Sequence, residues 1–384
     1  MKHKTALICI SDTYLARGRQ LRSFYLDEGD EVIVLTPDFS HRTKALIETE
    51  EEGVKLLEHR PYTKNLSWQR LLGHMEFAKR CREYLEEWQP DRIHCMVPAN
   101  SLCREMALYK REHPEVVLFF DINDTWPESL PVGSWFQHLP PAWLWKGLRN
   151  RYLPEADHLF CECEHFRKMI QEQTGIDSSV VNWASSNPTL AASPRLTDRS
   201  VTLCYLGFVN NIIDLDWMEH FFEELDKTHD ITLHLIAQGQ RKDEMVERLG
   251  AHCTIIDHGA VYDPQKKQDI FDSCAFGLNI MKPSVEAGLS MKTVDYLQGG
   301  LPVINSLRGD VHDWIEKDGC GINIDREDPA RTAAAIAECT YEDLMHMRKA
   351  ARSVFNDYLS VEAFEQAMDA GLAAYERSRS HRAQ

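Results

Sequence analysis

The chain reads as an α/β protein built from two doubly wound parallel-sheet domains. Three observations lead there. Short apolar runs alternate with stretches of helical spacing, and the alternation occurs in two series. A Pro-, Ser- and Ala-rich stretch at 184–200 breaks the periodicity between them and reads as a linker. The 384 residues exceed one typical core, while 43% hydrophobic and 27% charged residues give an ordinary globular balance.

In the first series, residues 5–10 and 31–36 are strand runs bracketing a helix from about Arg19, an opening βαβ unit. The loop 11–18 between them lies at the first strand's end. Arg17, Gly18 and Arg19 there are either a solvated basic turn or a place to greet an anionic acceptor or phosphate. A helical stretch at 69–88 leads to a strand at 93–97, and strands at 116–120 and 158–162 follow. In the second series the strands are 202–206, 232–236, 253–256, 276–280 and 302–305, with helices around 217–225 and 243–249. Apolar residues at helical spacing then give two closing helices, 341–355 and 361–375.

The net charge of −17 argues against general nucleic-acid binding, because neutralising a phosphate backbone needs a basic face. No run approaches the roughly twenty apolar residues of a membrane span, and the start MKHKTALICI passes directly into a strand, so a cytoplasmic protein is expected. Segment 135–152, WFQHLPPAWLWKGLRNRY, gathers aromatic and basic residues. It is either a peripheral membrane contact or a loop and helix packed on the first domain. The eleven cysteines follow no disulfide framework and read as reduced thiols. Cys161, Cys163 and His165 have no second ligand pair at zinc spacing and read as packed side chains.

The densest chemistry lies at 283–304, PSVEAGLSMKTVDYLQGGLPVI. The apolar run 275–281 supplies a buried strand, Gly288 lets backbone approach a ligand, and Ser290 is placed to cap a helix running to about Gln298. Free N–H groups and the positive dipole end make such a helix start a diphosphate site, with Lys292 as a movable cation. Asp295, about one turn later on the same face, is placed to accept from two ribose hydroxyls. Gly299, Gly300 and Pro302 end the helix.

Glu286, Gly288, Leu289, Ser290, Lys292, Asp295, Tyr296, Leu297, Gly300, Pro302, Val303 and Ile304 together resemble the motif of retaining glycosyltransferases of the family-four kind. The spacing of the acids departs from it. Relatives commonly place two glutamates one position closer than Glu286 and Asp295, and here the second acid is Asp. A second resemblance runs through Asp121, Asn123, Asp124, Trp126, Pro127, Glu128 and Ser129, which is similar to a segment of bacterial surface-polysaccharide glycosyltransferases. This loop follows a strand, where open parallel sheets place their chemistry. An Asx-rich turn with Trp126 and Pro127 packed beneath it is the plainer reading.

The resemblance implies the GT-B fold, two facing Rossmann-like domains with the last helix returning to the first. That gives an acceptor domain at 1–185, a nucleotide-sugar domain at 200–355 and the returning helix at 356–384. It also implies roles. Glu286 would face the sugar hydroxyls and Asp124 the acceptor, as catalytic residues, with Arg17, Gly18, Asp121 and Asn123 on the acceptor side. Relatives hold the diphosphate with an Arg and a Lys after the strand ending near Gly207, where this chain has Asn210 and Asn211. Lys292 is the replacement cation, seconded by Arg241 and Lys242, which otherwise form a solvated helix start. Gly207, Asn211, Gly288, Leu289, Ser290 and Asp295 complete the donor set. Asp214, Leu215 and Asp216 spell a metal signature of another glycosyltransferase fold, but the position favours a helix cap, so neither metal nor cofactor is expected. His94 matches a family position or is a satisfied structural histidine.

The expected activity is retaining transfer of a sugar from a nucleotide-sugar donor to a lipid-linked glycan acceptor, in the synthesis of capsule, lipopolysaccharide or a similar surface polymer. Two alternatives remain: a non-catalytic nucleotide-sugar-binding subunit, suggested by the absent Arg/Lys pair, and a nucleotide-sugar epimerase of related architecture.

Overall fold

Strand–helix alternation produces two separate parallel sheets, each with its own core. The structure is a computed structural model that describes residues 2–130, 134–194 and 200–382. In chain order the first unit contains β1 (Lys4–Ile8), α1 (Leu15–Asp27), β2 (Glu31–Pro37), β3 (Val54–Leu57), α2 (Trp68–Trp88), β4 (Arg92–Val97), α3 (Asn100–Glu112), β5 (Val117–Ile122), α4 (Pro140–Asn150), β6 (His158–Cys161), α5 (Glu164–Thr174) and β7 (Ser179–Val180). The second contains β8 (Ser200–Phe208), α6 (Leu215–Asp226), β9 (Asp230–Gln238), α7 (Lys242–Leu249), β10 (Thr254–Asp257), α8 (Pro264–Asp272), β11 (Phe276–Asn279), α9 (Met291–Gln298), β12 (Val303–Asn305), α10 (Asp310–Asp318), β13 (Gly321–Asn323), α11 (Pro329–Ala337) and α12 (Tyr341–Tyr358). Helix α13 (Val361–Arg382) closes the chain, and its residues from Glu365 onward belong to the first unit.

The first sheet has strand order β3-β2-β1-β4-β5-β6-β7 and the second β10-β9-β8-β11-β12-β13, both parallel throughout. The order reverses direction at β1/β4 in one and at β8/β11 in the other. Such switch points open a crevice at the carboxyl ends of the strands, where ligands bind in doubly wound folds. Both cores are closely apolar: Phe77, Leu85, Ile93, Phe120 and Ile122 are fully buried in the first, and Phe221, Phe222, Leu233 and Leu278 in the second. On α13, Gly371 lies against the Phe160 ring and Tyr375 meets Phe119 edge-on at 5.2 Å.

Three differences from the sequence reading have physical reasons. Helix α1 begins at Leu15 rather than about Arg19, so the basic turn is its first turn, and Gly18 is buried within it. Strands β3, β7 and β13, absent from the reading, are edge strands of four, two and three residues whose side chains are mostly half-buried. Their sequences therefore lack an apolar run. Residues 184–194 of the expected linker are tied to the second unit. Gln298 Nε2 donates to Asn187 O at 2.8 Å, Arg352 Nη2 to Leu190 O at 3.0 Å, and Ser193 N to Asp272 Oδ2 at 2.9 Å. Residues 195–199 of that linker, and 383–384 of the expected C-terminal segment, lie outside the described residues.

Candidate functional site

At the β8/β11 switch point, β8 ends at Gly207 and Phe208, while the chain leaving β11 passes through Glu286 and Gly288 before entering α9. Gly207 has φ +116°, which a residue with a side chain adopts only under strain. A Cβ there would stand 3.9 Å from Lys292 Cε. Ser290 has the extended backbone of an N-cap and accepts from Thr293 N at 3.4 Å. Its own hydroxyl donates to Asn279 Oδ1 at 3.0 Å. Asn279 Nδ2 in turn donates to Asn305 Oδ1 at 2.9 Å, and Asn305 Nδ2 to Asn323 Oδ1 at 3.0 Å. Three registered asparagines on β11, β12 and β13 thus lead to the cap of α9. No single stretch of sequence signals this ladder.

Tyr296 fixes the helix against the sheet. Its ring covers Gly277, where a Cβ would come within 2.7 Å, and its hydroxyl accepts from Leu206 N at 2.7 Å and donates to Cys204 O at 3.2 Å. With Thr293 N taken by the Ser290 cap, the N–H groups of Met291 and Lys292 are the first-turn donors that a helix leaves without intrahelical acceptors, held in place by the anchored helix.

Lys292 is half-buried over Tyr205, with Nζ 4.6 Å from the ring centroid and 3.5 Å from its hydroxyl. Among the described residues it forms no ion pair, and burial pushes its ammonium down to about 7. An anion beside it would recover that cost. The other proposed cations are already neutralised: Arg241 pairs with Glu244, and Lys242 with Asp257 at 2.7 Å. Asp295 pairs with Lys267 across from α8. Gly288 and Leu289 are buried, and Gly288 O accepts from Val311 N at 3.3 Å. Glu286 and Asn211 are exposed. Asp214 caps α6 by accepting from Trp217 N at 3.2 Å.

In the first unit the candidates separate into two kinds. Arg17 and Asp121 are fully buried and meet through Nε–Oδ2 at 2.7 Å and Nη2–Oδ1 at 2.9 Å. Burial raises the Asp121 pKa, but Arg17, with His94 Nε2 3.5 Å away, outweighs it and holds the carboxyl below its ordinary value. Fully buried and paired with each other, these two groups offer no charge to a ligand. Gly18 contacts only Met96 Sδ at its Cβ position, at 3.9 Å. His94 is enclosed by Phe160 and Tyr25, whose hydroxyl meets Nδ1 at 2.9 Å. Asp124 gathers donors from Thr125 N at 2.8 Å, Trp126 Nε1 at 2.9 Å, Tyr14 at 3.3 Å and the Ser129 hydroxyl. Burial nevertheless raises its pKa. Beside it, Asn123 is buried with both side-chain polar atoms lacking partners among the described residues. Segment 135–152 forms a short 3-10 turn and α4, exposing Trp135, Trp143 and Leu144, while Arg149 is buried against Glu128. Among the described residues no helix is long and apolar enough to cross a membrane, and no cluster of three His, Cys, Asp or Glu side chains is arranged to hold a metal.

The architecture is that of GT-B glycosyltransferase structures. The chain is similar to a sucrose-phosphate synthase from Thermosynechococcus elongatus (TM-score 0.73, 13% identity, 99% of this chain and 100% of that one). It is also similar to the lipopolysaccharide outer core galactosyltransferase WaaB (0.67, 14%, 97% and 99%) and to Anabaena Alr3699/HepE, solved with UDP and glucose (0.65, 12%, 97% and 100%). More particularly, residues 200–341 match the family model "Glycosyl transferases group 1". No curated protein sequence matches the chain.

Proposed function

We propose that the protein transfers a sugar from a nucleotide-sugar donor to a lipid-linked glycan acceptor, with retention at the anomeric carbon, in the synthesis of a cell-surface polysaccharide on the inner face of the membrane. The supporting observation is the anchored N-terminus of α9, with Lys292 beside Gly207 and in no ion pair among the described residues, inside the segment that matches the glycosyl transferase family. HepE, of the same fold, has been solved with UDP.

In this reading the leaving diphosphate sits on the first-turn N–H groups of α9, with Ser290 and Lys292 beside it. Asp295 receives the ribose hydroxyls on the face left by Lys267. The bond from the anomeric carbon to the diphosphate oxygen breaks with its electron pair going to that oxygen. Glu286 stabilises the developing positive charge on the ring. The acceptor oxygen forms the new bond on the same face and its proton passes to the departing phosphate oxygen. On the acceptor side this reading assigns Asp124 and Asn123, with the buried Arg17–Asp121 pair at the start of their loop.

A thermal-shift screen against UDP, GDP, ADP, CMP and their sugar conjugates tests the donor half. One nucleotide is expected to give a saturable rise that is lost in Lys292→Ala. Release of labelled sugar from its conjugate then tests the chemistry, and Glu286→Gln is expected to abolish release while leaving nucleotide binding. Binding without release by the unsubstituted protein, even with acceptor-lipid extracts, would instead identify a non-catalytic binding subunit.

A further inference from the structure

The first unit carries a groove that the transfer chemistry leaves unused. It lies among the start of α2, the start of α3, the loop after β5 and α4, and encloses about 670 Å3. Its rim is apolar and faces water: Trp68 and Leu144 are 77% and 74% exposed, and Leu72 and Met75 are exposed beside them. A contiguous apolar surface of this kind marks a binding site rather than ordinary surface variation.

The groove also contains charge. Arg70 lies with its guanidinium 4.6 Å from the Trp126 ring centroid and 5.7 Å from that of Tyr62. It donates from Nη1 to Asn65 O at 2.9 Å and from Nε to His74 Nε2 at 3.3 Å, and among the described residues it makes no ion pair. Accepting at Nε2 makes His74 the neutral tautomer, and burial holds its pKa well below the ordinary value. Lys44 Nζ stands over the Tyr62 ring at 4.5 Å, a second cation nearby. Asp124, a carboxylate whose charge bears on Arg70, already accepts from four donors. At the floor, Asn100 Nδ2 donates to Trp126 O and Trp145 O, each at 2.9 Å, while its Oδ1 is buried with no partner among the described residues.

An unpaired guanidinium within apolar walls suits a ligand that joins a hydrocarbon chain to an anion. A guanidinium recognises phosphate in particular. The net charge of −17 opposes adsorption on an anionic bilayer through the overall field, so recognition must come from one head group at a time. Exposed Trp68 and Trp143 suit the interface from which such a lipid is drawn. We propose that the groove seats a phosphorylated membrane lipid, with its chain along Leu72, Met75 and Leu144 and its phosphate against Arg70. The proposal deepens the reading of a lipid-linked acceptor, on which its biological sense rests.

The test is calorimetric titration of the full chain with decyl phosphate below its micellar concentration, beside inorganic phosphate and decyltrimethylammonium. Decyl phosphate is expected to bind at one saturable site, about 100-fold tighter than inorganic phosphate because the chain is buried. It should bind about tenfold tighter than the cationic amphiphile because of Arg70. Arg70→Gln should remove the head-group preference, and Leu144→Asp, a change at an exposed position, should weaken both amphiphiles. Equal binding of both amphiphiles, or an unchanged preference in Arg70→Gln, overturns the proposal. So does a dimer that dissociates on Leu144→Asp, because the groove's occupant would then be a second copy of the chain. UDP titration of the same preparations separates the two readings: failure with decyl phosphate alone removes the lipid site, and failure with UDP alone tells against the transfer reading.

Discussion

The half-buried Lys292 ammonium makes nucleotide binding depend on pH in a range where an ordinary lysine would not respond. Its ammonium is pushed down to about 7 by burial, with no carboxylate paired to it among the described residues. A diphosphate on α9 requires the charged form, so the apparent dissociation constant rises in inverse proportion to the charged fraction. With a pKa of about 7, that fraction falls from a half at pH 7 to about one hundredth at pH 9, weakening binding about 50-fold, or about 2.3 kcal/mol. Screening by solvent around the half-buried side chain makes that figure of about 50-fold an upper value. A lysine at the ordinary 10.5 would lose only about 3%. The terminal phosphate of UDP is ionised across this interval, having a pKa near 6, and does not contribute the slope. Isothermal titration of UDP from pH 7 to 9 at constant ionic strength measures it. Lys292→Arg, with a guanidinium charged throughout, is the control and should be flat. A flat profile for the unsubstituted protein, or the same slope in Lys292→Arg, would refute the reasoning.

The same group sets a stability effect of opposite sense to a salt-bridged lysine. The folded pKa lies below the unfolded one, so the cost of burying the charge is complete below about pH 7 and disappears above about 10.5. Lys292→Met is therefore expected to stabilise the ligand-free protein at pH 6 by about 1–2 kcal/mol, and not at pH 11, by urea unfolding. Arg17→Met strands Asp121 in the core and should cost about 3–5 kcal/mol in the same assay. Because Asp121's folded pKa is depressed, the pair's contribution is present above the ordinary carboxylate pKa and is lost as pH falls through the folded value. The double variant Arg17→Met/Asp121→Leu should flatten that acid limb. Gly277→Ala drives a methyl into the Tyr296 ring, and should cost about 1–3 kcal/mol in thermal unfolding and weaken UDP binding by shifting α9.

What the sequence disclosed and what it hid divide along one physical line, the distance over which a residue finds its partner. The capping of α9 by Ser290, the glycines that end it and the capping of α6 by Asp214 act within a few residues, and all were legible in order. The central strands were legible because both faces are buried, leaving unbroken apolar runs such as VVLFF before Asp121. Charged side chains were not. Arg17 looks like a solvated turn residue beside a glycine, yet its partner lies 104 positions away in β5. Lys267 reaches Asp295 across 28 positions and Lys242 reaches Asp257 across 15, so which of the cations are already paired shows only when the sheet is assembled. Lys292 is distinguished by what does not face it, and no motif records an absence. The apolar groove is the extreme case. Trp68, Met75, Asn100, Trp126 and Leu144 come from four segments, and although 135–152 stands out alone as aromatic and basic, nothing in the sequence joins it to the other three. A recognition surface assembled in this way can change its ligand through one exposed substitution without disturbing the core, whereas the α9 cradle cannot, because Gly277, Tyr296 and the asparagine ladder carry sheet packing and helix position together.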